Sequence, residues 1–100
     1  MRPNPKPPVP DVEEAEELAL DVLIWLGRKL DLMQRFLALS GIPADSIRDH
    51  IGHLKFYAGL LAFVLGNERD LLDFCAEKKV DPAWFVLCYE KFAGEGVPWA

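Results

Sequence analysis

The chain has 100 residues, 51% of them apolar and 27% charged, which gives it enough Leu, Phe and Trp for one buried core, too little length for two, and too much apolar character for disorder. Sixteen acids against eleven bases leave a net charge of −5 and a pI near 4.9, the wrong sign for a protein whose affinity rests on neutralising phosphates, so nucleic acid is a disfavoured partner. Threonine is absent, and Ser40, Ser46, Asn4, Asn67 and Gln34 are the only serines and side-chain amides, so a site that must orient a small polar molecule is poorly supplied.

Five of the eight prolines fall in residues 1–10, which read as an extended, disordered tail. A single helical domain is expected over 11–93. Asp11 and Glu14 form a D-x-x-E capping box, followed by glutamates where a helix N-terminus favours negative charge; the first helix runs from Val12 to Leu26 and ends near Gly27. Gly41 closes a second helix built on Leu32, Met33, Phe36 and Leu37. Pro43 opens a third, carrying Ile47 and Ile51 and stopping near Gly52. A fourth spans His53 to Leu65, a fifth Glu68 to Lys78. Asp81 and Pro82 start a sixth, with Trp84, Phe85, Cys88 and Phe92, before Gly94 and Gly96 open a flexible tail over 94–100. No segment alternates as a half-buried strand does, so the fold is all-α, a compact bundle of about six short helices. No run reaches the roughly 20 apolar residues of a membrane span. The proline-rich start also lacks the basic and apolar regions of a secretion signal.

The chain resembles itself at an offset of 38: Leu23, Trp25, Leu26, Phe36, Ala38, Ile42 and Ile47 fall on Leu61, Phe63, Val64, Phe74, Ala76, Val80 and Phe85. Two pseudo-repeated three-helix halves follow, with the long first helix of each half crossing near the centre. On the first helix Ala15, Leu18, Ala19, Val22 and Leu26 define a buried arc. The fourth is apolar nearly all round, so it needs cover on several sides; Lys55 shares one side with Ala58, Gly59 and Ala62, which would let a neighbour approach closely.

Few residues suggest chemistry. Cys75 and Cys88 lie within apolar helical patterns and read as reduced, buried thiols of a cytoplasmic protein. With His50 and His53 they make up every soft metal ligand in the chain, but H-x2-H with two isolated cysteines is no zinc spacing, and no metal or cofactor is expected. Ser46, Asp49 and His50 are close in sequence, yet one short helix supplies no strained nucleophile or oxyanion hole, so no catalytic residue is assigned. Residues 36–52 have the outline of a helix-turn-helix, the basis of an alternative nucleic-acid-binding function. Leu37 is bulky where the turn needs a small residue, and the second helix offers Asp45, Arg48 and Asp49 to DNA.

The runs Arg35 to Arg48 (RFLALSGIPADSIR), Asp73 to Cys75 (DFC) and Val80 to Phe85 (VDPAWF), after a Trp-bearing first helix, resemble a family of short, mainly alphaproteobacterial proteins known only as a domain of unknown function. The resemblance covers about residues 14–92 and implies a bacterial, cytoplasmic, all-helical protein with a link to response-regulator signalling; it assigns no catalytic or ligand residue. An acid usually precedes the proline matching Pro43, whereas this chain has Ile42, which predicts a weak cap for the third helix. The expected function is a non-catalytic protein-interaction or regulatory module whose partner is a protein. Its expected surface is the acidic strip Glu13, Glu17 and Asp21 with Leu20 and Ile24 set within it, which suits a partner helix or self-association as a homodimer.

Overall fold

The computed structural model describes residues 9–94, and the expectations for the two tails therefore lie largely outside the described residues. The helices, in chain order, are α1 (Val12–Gly27), α2 (Leu30–Ser40), a 3-10 turn (Ala44–Ser46), α3 (Ile47–His50), α4 (Leu54–Leu65), α5 (Glu68–Lys78) and α6 (Pro82–Gly94). No strand occurs among the described residues, and the all-α bundle expected from the pattern is what the chain forms.

Local signals account for most helix ends. At the start of α1 the Asp11 carboxylate accepts from the Glu14 N–H at 2.8 Å while the Glu14 carboxylate accepts from the Asp11 N–H at 3.0 Å, a full capping box that contributes about 1 kcal/mol. Pro10 and Ala15, at the two positions a hydrophobic staple uses, are both buried. Asn67 caps α5 by accepting from the Asp70 N–H at 3.1 Å, and Asp81 holds the Ala83 N–H at 2.8 Å as α6 begins. α2 ends on Gly41 in the left-handed conformation at φ 75°, where glycine has no steric penalty.

α1, α4 and α6 pack against one another and form the centre, with α2 laid on α1 and α4 and α5 laid on α4 and α6. The arc expected on α1 is buried throughout, joined by Trp25; α4 buries Phe56, Tyr57, Ala58, Leu60, Leu61 and Val64. Edge-to-face ring pairs lock the layers together, Trp25 on Phe74 and Phe74 on Phe85, with centroids 5.4 Å and 5.6 Å apart.

Several features of the structure recur at the offset of 38. That offset matches the range of α2 to that of α5 and takes Gly41 to Lys79, and both helices end in a left-handed turn, at φ 75° and 58°. It also exchanges ring contacts between the halves: Trp25 meets Phe74 at 5.4 Å, and their equivalents Phe63 and Phe36 meet at 5.5 Å, with interplanar angles of 80° and 73°. One ring of each pair has a cation over it, Lys29 on Trp25 and Arg35 on Phe63. Each half thus lends an aromatic side chain to the other.

The symmetry breaks at the third helix. α6 has 13 residues and packs on both long helices, whereas its equivalent in the first half is a 3-10 turn followed by the four residues of α3, whose main neighbour is that turn. The helix expected from Pro43 to near Gly52 is therefore much shorter. Neither Pro43 nor Ser46 makes a side-chain cap bond, as the apolar Ile42 in place of an acid predicts, and the chain leaves the helical region at Ile51 before Gly52 turns at φ 100°.

Candidate functional site

Because α3 is so short, one side of α4 stays open. There the molecule has a groove of about 810 Å³ between the C-terminal end of α2, α3 and the exposed side of α4. Gly59 and Ala62 on α4 line it without side chains of any size, so their stretch of the helix is its lowest part. Phe56 and Phe63 flank them on the same helix, and Phe36 rises from α2, its ring 6.0 Å from Phe56 and 5.5 Å from Phe63, both edge to face. Leu39, 74% exposed, and the half-buried Ile42 complete an apolar wall on the α2 side.

One end of the groove is polar. Asp49, His50, His53 and Lys55 line it, and the first turn of α4 behind them carries no acid and no side-chain cap. His50 Nδ1 lies 2.8 Å from the Ser46 carbonyl oxygen, which can only accept, so Nδ1 carries the proton and Nε2 is the acceptor of the neutral ring. The ring also leans on Phe56 at 5.7 Å. This bond engages the Ser46 backbone rather than its hydroxyl, so Ser46, Asp49 and His50 do not form the nucleophile and base pair that a hydrolase needs. Gly52 donates its N–H to the Tyr57 hydroxyl at 2.8 Å, which ties the turn before α4 to the core.

The metal ligands of the sequence are not brought together. His50 and His53 lie at the groove, whereas Cys75 and Cys88 are buried residues of α5 and α6 that are not joined in a disulfide; among the described residues no cluster of three or more His, Cys, Asp or Glu could hold an ion. Burial, with the Asp81 carboxylate as a lesser cause, pushes the Cys75 thiol above its usual range and keeps it protonated and unreactive. The helix-turn-helix outline survives only in α2, since an α3 of four residues is about one turn long and cannot lie along a major groove as a recognition helix does. None of the helices is long and apolar enough to cross a membrane, among the described residues.

The acidic strip of α1 is present. Glu13, Glu17 and Asp21 are exposed and Ile24 is 59% exposed among them, while Leu20 turns inward and packs partly against the core. The offset of 38 makes this strip the counterpart of the groove: Glu17, Asp21 and Ile24 correspond to Lys55, Gly59 and Ala62. The groove itself is not among the sites read from the sequence. Its signal was the side of α4 bearing Lys55, Gly59 and Ala62, too small for the core and too apolar for water.

A family model described as Protein of unknown function (DUF3572) matches residues 12–95. No curated protein and no solved structure matches the chain.

Proposed function

Since the chain belongs to the family described as Protein of unknown function (DUF3572), we propose its function from the groove: a non-catalytic module that receives an amphipathic helix of a protein partner. The observation that carries this is the open apolar side of α4, walled by Phe36, Phe56 and Phe63 over Gly59 and Ala62, where helix backbones can approach closely. An enclosed cavity with converging polar groups would suit a small molecule better, and this trough has its polar groups at one end only. Lys55, His50 and His53 against the single acid Asp49, together with the uncapped first turn of α4, favour a helix that carries carboxylates beside its apolar stripe. A bacterial cytoplasmic setting is part of the proposal, supported by two cysteines that form no disulfide. A response regulator is the first partner to try.

The test is titration of the isotope-labelled protein with a synthetic amphipathic helix of Leu and Glu, followed by NMR. Amide shifts confined to Phe36, Ile42, Gly59 and Ala62 and abolished by Ala62→Phe, which fills the groove, are the expected result. Shifts spread over the whole surface, or unchanged in the folded Ala62→Phe protein, would remove the groove from consideration.

A further inference from the structure

Resting on the reading of the groove as a helix receptor, we infer that the chain guards it itself: residues 95–100, which follow α6, seat Trp99 in the groove until a partner helix displaces it. The end of α6 is in the right place for this. Phe92, two residues before α6 ends at Gly94, packs on Tyr57 with ring centroids 6.2 Å apart, and the Tyr57 hydroxyl accepts from the Gly52 N–H at 2.8 Å. The last turn of α6 thus lies beside the turn that leads into α4, and His53, the next residue of that turn, lines the groove. Tyr57 is on the opposite side of α4 from Gly59 and Ala62, so a chain leaving α6 enters the groove by rounding the N-terminal end of α4, without crossing a packed helix. The reach is sufficient. Trp99 stands five residues beyond Gly94, about 17 Å of extended chain, and Gly59 is about 9 Å along α4 from His53.

The segment also suits the floor it would cover. Its sequence, EGVPWA, offers Gly96 for the bend, Pro98 to keep Val97 extended rather than helical, and one large side chain, Trp99. Beyond Glu95 it has no charged side chain, so its fit does not depend on the polar end, where Asp49 offsets Lys55. What it brings is what the groove lacks: a broad apolar group over Gly59, between the rings of Phe36 and Phe56, where α4 has no side chain of its own. A tethered residue needs little intrinsic affinity to hold such a place, because it is always near it. The same indole occupies the space an apolar side chain of the partner helix would take, so the two compete.

NMR of the full chain tests this, with the Trp99 indole signals assigned by their loss in Trp99→Ala. Nuclear Overhauser contacts from the indole to the Phe56 ring and the Gly59 α-protons are expected, read in the unaltered chain and so independent of how the variant folds. Trp99→Ala should shift the amides of Phe36 and Gly59 and bind the Leu and Glu helix about tenfold more tightly, as a groove about nine-tenths filled by its own tail requires. Circular dichroism checks that the variant keeps its fold. An indole with no contact in the groove, or equal and measurable affinity of the two chains for the helix, overturns the inference. In that second case the groove remains a receptor and loses only its guard. If the indole is in the groove and neither chain binds the helix, the seat of Trp99 stands and the receptor falls.

Discussion

At the scale of single residues, the two halves solve the same backbone problem with different side chains. Gly41 and Lys79 end equivalent helices in the left-handed region, at φ 75° and 58°, but only glycine adopts it without a Cβ penalty. Lys79→Gly should therefore stabilise the protein by about 0.5–1 kcal/mol, seen in calorimetry as a thermal midpoint several degrees higher, whereas Gly41→Ala should lower it. Trp25 shows the opposite compromise: fully enclosed, its indole N–H has no hydrogen-bond partner, and its stability rests on the ring contact with Phe74 and the ammonium of Lys29.

At the scale of elements, α2 and α5 are tied by two ion pairs of unequal setting. Arg28, just before α2, meets Glu77 at 2.9 Å with both side chains well exposed, and Arg35 meets Asp70 at 3.0 Å where Asp70 is 8% exposed. Urea denaturation should show a loss of about 1–3 kcal/mol for Arg35→Met, which strands a buried carboxylate, and under about 1 kcal/mol for Arg28→Met. Helix ends were largely legible from the sequence because a cap lies within a few residues of what it caps: Asp11 with Glu14, Asn67, Asp81 with Pro82, and Gly41 all stand where the pattern puts them. α3 was misjudged in length, since Pro43 and Gly52 mark a start and a stop while Ile42, just before that start, supplies no cap. The acidic strip was legible as a face of one helix, except that Leu20 turns toward the core. The groove was not, because it is bounded by side chains from α2, α3 and α4 and exists only through what α3 fails to cover.

At the scale of the molecule, the exchanged ring pairs mean that neither half holds a complete core. Trp25 of the first half is sealed by Phe74 of the second, and Phe63 of the second packs on Phe36 of the first. Unfolding should be a single transition, with Phe36→Ala accelerating hydrogen exchange in α5 and α6 as much as in α2; a separate, earlier exchange of the first half would contradict this. The short α3 has a further consequence, for how a binding surface can originate. The side of α4 it exposes carries Gly59 and Ala62 between Phe56 and Phe63, small residues over which a helix can lie closely, whereas the equivalent side of α1 carries the exposed Glu17, Asp21 and Ile24. A receptor for helices can thus be left by a short element: where α3 stops after about one turn, apolar side chains of its neighbours that a longer helix would cover face outward.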